Sequence, residues 1–160
     1  MFDLRKATQN DVPAILALYS SAVGRPGCTW NENYPTDEEL SLDLAHGCAY
    51  VYTLDSSVIG AVSVVPENEL GEYDFWEVNN DNCREIARVV ISMQQTGHGY
   101  AGDMVGALLR ILKDNGCEAV HLLVAQCNPA AKETYRKLGF TVKAETSMYG
   151  NDYFAEELIF

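Results

Sequence analysis

Two glycines one residue apart open a helix in the second half of the chain, within Arg88-Val-Val-Ile-Ser-Met-Gln-Gln-Thr-Gly-His-Gly-Tyr-Ala101. An apolar strand runs into this loop, and the helix follows directly. Gly97 and Gly99 allow backbone N–H groups to approach a ligand closely, and the helix N-terminus adds partial positive charge. This arrangement predicts a phosphate-binding site. The loop contains no Lys and no Gly-Lys-Ser/Thr sequence, which excludes the P-loop of nucleoside triphosphatases.

The same glycines are also compatible with a second kind of cofactor, a dinucleotide. Gly97-His-Gly-Tyr-Ala-Gly102 matches the glycine pattern of dinucleotide-binding proteins, and Glu118 lies near the spacing of a ribose-binding acid. However, most of a dinucleotide-binding fold is missing around the loop, which also stands several residues beyond its strand. We therefore keep the dinucleotide interpretation as an alternative.

Two motifs in this region resemble those of one enzyme family. Gln94-x-x-Gly97-x-Gly99 is similar to the pyrophosphate loop of the GNAT acetyltransferases. After one further helix and strand, Asn128-Pro-Ala-Ala131-Lys-Glu-Thr-Tyr135-Arg-Lys-Leu-Gly139-Phe140 resembles the family's Asn, Ala, Tyr and Gly-Phe signature at every position. The resemblance is specific over residues 85 to 140, whereas in the N-terminal half only the order of elements agrees.

The resemblance implies a fold and an activity. We expect an α/β protein (α+β in some schemes) with one GNAT domain over residues 1–160. Its mixed sheet would have about six to seven strands and four helices, with splayed parallel strands at the acetyl-CoA site. The implied enzyme moves an acetyl group from acetyl-CoA to a primary amine, by direct attack in a ternary complex. A non-catalytic acyl-CoA-binding or sensing module on the same fold is the alternative.

The resemblance also assigns cofactor contacts. Backbone N–H groups of residues 97 to 101 would hold the pyrophosphate, and the end of the preceding strand would pair with the pantetheine arm. A backbone N–H near Val90 would polarise the thioester carbonyl. The predicted cofactor-binding residues are Val89, Val90, Ile91, Gln94, Gln95, Thr96, Gly97, His98, Gly99, Tyr100, Ala101, Asn128, Ala131 and Tyr135.

Two residues are candidates for proton transfer. Tyr135 corresponds to the family's usual proton donor to the departing sulfur, although a core aromatic is the alternative. An aliphatic acceptor amine has a pKa of about 10 and must lose a proton before it attacks. Glu85 is the first candidate for the base, with Glu77 and Glu32 as weaker ones. Alternatively, Glu85 is solvated or pairs with Arg84 or Arg88.

The acceptor site is expected where family loops converge. Here those loops contain aromatic rings beside carboxylates, a combination that suits a small cationic amine. The predicted substrate residues are Trp30, Glu32, Tyr34, Tyr73, Trp76 and Glu77. Core or lid positions for Trp30 and Trp76 remain an alternative.

The composition of the chain argues against several classes of binding partner. The formal net charge is −12, which argues against nucleic acid and anionic membrane surfaces as partners. The five cysteines and three histidines show no metal-ligand spacing, so no metal site is expected. The sequence shows neither a signal-peptide core nor a membrane span, and we expect a cytoplasmic protein that could form a homodimer.

The elements that must position these residues alternate along the chain. A strand at Phe2–Lys6 precedes two helices, one that starts near Thr8 and one that Thr36 caps. A hairpin of residues 49–54 and 58–65 follows, and then a long loop or a short insertion over residues 66–84. The next elements are predicted as a strand over 86–92, a helix over 99–115, a strand over 119–125 and a helix from Pro129 to Gly139. An antiparallel pair over 140–148 and 153–159 closes the chain, with its turn at 150–152.

Overall fold

The computed structural model describes residues 1–65 and 69–160, which form a seven-stranded sheet with helices on both faces. The strands are β1 (Phe2–Lys6), β2 (Ala49–Leu54), β3 (Ser57–Val64), β4 (Cys83–Ile91), β5 (Ala119–Ala125), β6 (Thr141–Met148) and β7 (Asn151–Ile159). The helices are α1 (Val12–Ala22), α2 (Asp37–Ala45), α3 (Tyr100–Asp114) and α4 (Pro129–Leu138). Short 3₁₀ turns lie at Gln9–Asp11, Glu69–Glu72 and Met93–Gln95.

The strand order is β1-β2-β3-β4-β5-β7-β6. Only the β4–β5 pair is parallel within the described sheet, because α3 carries the chain back across it. Alternation along β2 separates two cores: Tyr50 and Tyr52 pack on the α3–α4 face, and Val51 on the α1–α2 face. This mixed sheet with four helices confirms the predicted fold class.

Local signals account for the helix ends. Thr36 accepts a hydrogen bond from the Glu38 N–H, while Glu39 accepts one from the Thr36 N–H at 2.7 Å, which makes a complete capping box before α2. The corresponding box at Thr8 encloses the turn Gln9–Asp11, so α1 starts only at Val12. Gly139 ends α4 in the left-handed conformation with φ 102°.

Two boundaries differ from the sequence predictions. The turn between β6 and β7 consists of Tyr149 and Gly150, both with positive φ, so Asn151 and Asp152 already belong to β7. A two-residue turn of this kind matches the twist of the strands better than the three-residue turn predicted at 150–152. In addition, β4 begins at Cys83 and not at residue 86, which places Glu85 inside the strand.

The connection between β3 and β4 is predicted from the sequence as a long loop or a short insertion over residues 66–84. Residues 66–68 lie outside the described residues. The rest forms the turn Glu69–Glu72 and an irregular stretch that packs Leu70 and Trp76 against the sheet. No helix in residues 1–65 and 69–160 has the length and apolar character needed to cross a membrane.

Candidate active site

The parallel strands β4 and β5 separate after a short ladder. Their pairing ends at Glu85 with His121, whereas β4 continues to Ile91 and β5 to Ala125. The C-terminal halves of the strands therefore diverge and leave a wedge between them. This is the splayed geometry that the resemblance implies at the acetyl-CoA site.

The backbone polar groups of Ile91 face this wedge. The Ser92 N–H donates to the Ile59 carbonyl at 2.7 Å, so the alternation of an antiparallel pair turns the Ile91 N–H and C=O away from β3. The guanidinium of Arg25, in the loop after α1, donates to the Ile91 carbonyl at 2.8 Å. Sequence reasoning did not single out Arg25, because its contact lies 66 residues away along the chain.

A bulge interrupts β4 beside the wedge. The register passes from Ala61 opposite Val90 to Ser63 opposite Ala87, so two residues of β4 face one of β3. One of them, Arg88, has φ 54°, which is uncommon for a residue with a side chain. The bulge redirects the backbone of β4 at the point where the strands diverge.

An ion pair holds Arg88 in this conformation. Its Nε and Nη2 donate to the two oxygens of Asp43 at 3.0 and 2.7 Å, and Asp43 is fully buried. Ser63 Oγ donates to Asp43 at 2.6 Å, and Arg88 Nη1 donates to the Tyr34 hydroxyl at 3.1 Å. Burial opposes the charge of Arg88, but the hydrogen bonds and charge of Asp43 outweigh it and raise its pKa. Arg88 therefore pairs with Asp43, and not with Glu85 as one alternative held.

The glycine loop is open to solvent. Gly97 and Gly99 have φ 84° and 78°, and no atom lies within 4 Å of a side chain built at either position. The first intrahelical bond of α3 joins the Asp103 N–H to the Gly99 carbonyl at 3.1 Å. The N–H groups of Tyr100 and Ala101 therefore precede the hydrogen-bonded part of the helix, as a phosphate site requires.

The other predicted cofactor residues surround this loop and the wedge. The last three residues of β4 are Val89, Val90 and Ile91, and the turn Met93–Gln95 with the residue after it contains Gln94, Gln95 and Thr96. His98 is exposed and stacks on Tyr100. Ala131 lies in the first turn of α4. Asn128 precedes α4 as its N-cap, with its side-chain oxygen accepting from the Ala131 N–H at 3.2 Å. The structure thus gives Asn128 a capping role in addition to the predicted pantetheine contact.

Tyr135 is buried between α4 and the sheet. Its ring meets Phe140 edge-on at 5.7 Å, and 8% of the residue is exposed. Burial, with a contribution from the charge of Glu156, raises the pKa of Tyr135 above its ordinary value. The phenol therefore stays protonated at neutral pH, the state that a proton donor needs.

Glu85 lies at the last pair of the β4–β5 ladder, half-buried. Burial raises the pKa of its carboxyl to about 7. The charge of Glu69 also raises this pKa, whereas the charge of Arg88 lowers it. The backbone N–H of Leu70 also bonds to the carboxylate. A carboxyl with a pKa near neutrality suits a general base, because it can both accept and release a proton at working pH.

Three tyrosines and one acid share the surroundings of Glu85, and we call this set with Glu85 the acceptor cluster: Tyr34, Glu69, Tyr73, Glu85 and Tyr149. Burial raises the pKa of Tyr149, and the charges of the four other members raise it further, which places each of them in the surroundings of Tyr149. Two members, Tyr34 and Tyr73, were predicted as substrate residues. Glu69 and Tyr149 were missed, because a loop acid and a hairpin tyrosine carry no motif.

The two predicted tryptophans pack in or against the cores of the protein. Trp76 is buried, with its ring stacked on His121 at 3.9 Å and its Nε1 donating to the Leu70 carbonyl at 2.7 Å. Trp30 packs edge-on against Tyr19 at 5.6 Å in the α1–α2 core. The burial of Trp76 corrects its assignment as a substrate contact. Trp30 is only partly buried, and its assignment as a substrate contact stays a prediction.

Both predicted acids are exposed to solvent. Glu77 pairs with Lys143 at 2.8 Å on the surface, and its assignment as a substrate contact and as an alternative base stays a prediction. Glu32 is exposed in the tight turn that the bridge between Asn31 and Tyr34 closes. Within residues 1–65 and 69–160, no group of three His, Cys, Asp or Glu side chains is arranged to hold a metal ion.

Comparison with known proteins identifies the family. The model of the acetyltransferase (GNAT) family matches residues 15–140. The chain belongs to this family. As a GNAT acetyltransferase it is an acyltransferase whose co-substrate is acetyl-CoA.

A curated GNAT relative is the L-methionine sulfoximine/L-methionine sulfone acetyltransferase of Pseudomonas aeruginosa, which is 25% identical over 157 residues, covering 94% of this chain and 86% of the relative. Among solved structures, a GNAT acetyltransferase from Streptococcus agalactiae aligns with a TM-score of 0.83 and 20% identity, over 99% of this chain and 95% of its own. The PaiA N-acetyltransferase from Thermoplasma acidophilum, in complex with coenzyme A, aligns with a TM-score of 0.77 and 16% identity, over 100% and 99%.

Proposed function

We propose that this GNAT enzyme acetylates the primary amine of a small cationic molecule, with Glu85 as the general base and Tyr135 as the proton donor. The observation that carries the proposal is the position of Glu85 at the last pair of the β4–β5 ladder, where the wedge begins and where burial raises the pKa of its carboxyl to about 7. Aromatic rings and carboxylates attract an ammonium group. The net charge of −12 favours the approach of a cation.

The proposed reaction balances its protons. The acceptor ammonium has three N–H bonds and the product amide has one, so two protons must leave the nitrogen. Glu85 takes one before attack, and the other replaces the proton that Tyr135 donates to the departing thiolate. A backbone N–H in the stretch Val89–Ile91 would stabilise the oxyanion that forms on the thioester carbonyl. The amine attacks acetyl-CoA directly, without a covalent acetyl-enzyme.

The acceptor cluster favours an amine without a carboxylate over an amino acid. The Pseudomonas relative is named for amino-acid derivatives, which carry a carboxylate beside the amine. In this chain, however, the cation that acts on Glu85 is Arg88, and Asp43 already binds it through two hydrogen bonds. A substrate carboxylate would therefore meet the acids Glu69 and Glu85 without a free cationic partner from Arg88.

Matched substrate pairs test this proposal. Coenzyme A release would be measured with a thiol reagent for tyramine against tyrosine, agmatine against arginine, and cadaverine against lysine. The decarboxylated member of a pair should react at least about tenfold faster, which corresponds to about 1.4 kcal/mol of charge discrimination. Faster reaction of the amino acids would contradict the substrate class.

The same assay separates an enzyme from a sensing module. Acetyl-CoA should raise the melting temperature in both cases, but only an enzyme releases thiol when an amine is added. Stabilisation by acetyl-CoA without thiol release for any amine would replace the proposal by an acyl-CoA-binding module. A cytoplasmic location, the lack of nucleic-acid partners and a homodimer stay predictions from the sequence.

A further inference from the structure

A buried histidine lies directly behind Glu85. His121 is the partner of Glu85 at the last pair of the β4–β5 ladder, and paired residues of a parallel ladder project their side chains on the same face of the sheet. His121 is fully buried, and the ring of Trp76 stacks on it. A proton would therefore reach this imidazole through the residues that neighbour it in the sheet.

The hydrogen bonds of Glu157 fix the imidazole. Glu157 on β7 lies opposite His121, and its Oε2 is 2.8 Å from His121 Nε2. The backbone N–H groups of Glu77 and Val78 each donate to Glu157 at 3.1 Å, and Lys143 Nζ lies 3.8 Å away. With this many donors Glu157 is a carboxylate, and a carboxylate only accepts hydrogen bonds. The proton of neutral His121 therefore belongs on Nε2.

The other ring nitrogen of His121 lies on the side of the ring that is nearer to β4. Strands β7 and β4 flank β5 on opposite sides, so an imidazole whose Nε2 edge meets β7 turns its Nδ1 edge towards β4. Among the described residues, His121 Nδ1 and Glu85 Oε2 are both buried without a hydrogen-bond partner. The two atoms are therefore not hydrogen-bonded to each other in this structure. Because buried polar atoms without a partner are costly, a side-chain rotation that lets a protonated Glu85 carboxyl donate to the unprotonated Nδ1 would satisfy both.

We propose that His121 receives the proton that Glu85 removes from the acceptor amine, and that Glu157 stabilises the resulting imidazolium. The inference rests on the proposed role of Glu85 as base. In the first step an ammonium N–H bond breaks and a Glu85 O–H bond forms. In the second the Glu85 O–H breaks and a His121 Nδ1–H forms, which restores the carboxylate. When the product leaves, the imidazolium returns its proton through Glu85 to water.

The charges around this pair are compatible with proton exchange. Arg88 on β4, with Glu69 and the Leu70 N–H from the covering segment, face Glu85. Glu157 on β7 faces His121, with Lys143 of β6 behind it. Burial raises the pKa of Glu85 to about 7. Glu85 can therefore both accept and release a proton near neutral pH.

NMR of the whole protein tests the coupling without turnover. Histidine ¹⁵N shifts should show His121 as the Nε2–H tautomer at pH 8, and the Glu85 side-chain ¹³C shift should titrate near neutral pH. In His121→Gln the midpoint for Glu85 should move, because the Nδ1 partner is lost. Trp76→Phe is the matched control, since it changes the same buried cluster without a titratable group, and it should leave the midpoint in place. An Nδ1–H tautomer, or the same midpoint in parent and His121→Gln, would overturn the relay.

Kinetics gives a second readout. His121→Gln should lower kcat by about 10²-fold, within the usual range for proton-transfer residues, and shift the acidic limb of the pH–rate profile while the KM for acetyl-CoA stays constant. Trp76→Phe should leave that limb unchanged. Should His121→Gln not fold, Glu157→Gln replaces it, with loss of the Nε2–H tautomer as the expected result. If the acidic limb of the pH–rate profile is the same in the parent and in the variant, the relay is overturned but Glu85 remains the base. If no amine causes thiol release, the proposed function itself is overturned.

Discussion

Replacement of Glu85 by glutamine is expected to stabilise the protein increasingly as the pH rises. The pKa of this carboxyl is raised by burial from 4.5 to about 7. Between these values the folded protein holds a proton that the unfolded chain has released, and above pH 7 the folded protein must bury a charge. The stability that the neutral carboxyl contributes is therefore lost as the pH rises through about 7. Glutamine is uncharged, so the free energy of unfolding of the variant does not fall in this way as the pH rises.

The size of the effect follows from the two pKa values. Each unit of pKa difference between folded and unfolded states corresponds to about 1.4 kcal/mol, so the full effect is about 3 kcal/mol. About 2.5 kcal/mol of it should develop between about pH 5 and about pH 9. Because Glu85 keeps some contact with solvent, we expect roughly 2 kcal/mol. For a chain of this length that corresponds to about 4–8 °C in melting temperature.

Urea unfolding of both proteins across this pH range measures the difference in free energy of unfolding. Other titrating groups cancel in the comparison, because they are common to both proteins. Glu145→Gln is a suitable control, since Glu145 is an exposed position on β6. A difference that stays constant from pH 5 to pH 9 would show that Glu85 titrates normally and would remove the main argument for it as the base.

Three further variants test the site. Tyr135→Phe should lower kcat about 10- to 100-fold without weakening acetyl-CoA binding by calorimetry; an unchanged kcat contradicts the donor role, provided that chemistry limits turnover. Gly99→Val should weaken coenzyme A binding at least about tenfold, because φ is 78° there and a side chain would occupy the space proposed for phosphate; calorimetry that finds equal affinity removes the loop assignment. Asp43→Asn should destabilise the protein by about 3–5 kcal/mol, since it leaves the buried Arg88 without its counter-charge; a urea midpoint within error of the parent argues against this anchor.

Signals that act over a few residues were readable from the sequence. The capping box at Thr36 fixes the start of α2 through local hydrogen bonds, and Gly139 ends α4 in the left-handed conformation. The proline that follows Asn128 favours a helix start through its restricted φ. The glycine loop belongs to the same class, because its function depends on backbone conformation at Gly97 and Gly99. For these features the sequence predictions and the structure agree within one or two residues.

Contacts between distant segments were not readable. The pair of Asp43 and Arg88 spans 45 residues, and the pairing of Glu85 with His121 depends on the register of two strands that a helix separates. Trp76 shows the same difficulty for burial. An aromatic residue in a polar loop suits a ligand contact and a core position equally well, and only the packing against His121 decides between them.

The position of Glu85 also determines how the proton must travel. Glu85 lies four residues before Val89 on β4. A regular strand rises about 3.3 Å per residue and would separate the two Cα atoms by roughly 13 Å, a distance that the bulge at Arg88 shortens. A glutamate side chain spans only part of this distance to the thioester. We therefore infer that water joins the acceptor nitrogen to the carboxylate and that the amine is deprotonated before it attacks. The rate in mixtures of H₂O and D₂O should then depend on more than one exchanging proton, whereas a strictly linear dependence would contradict a water-mediated transfer.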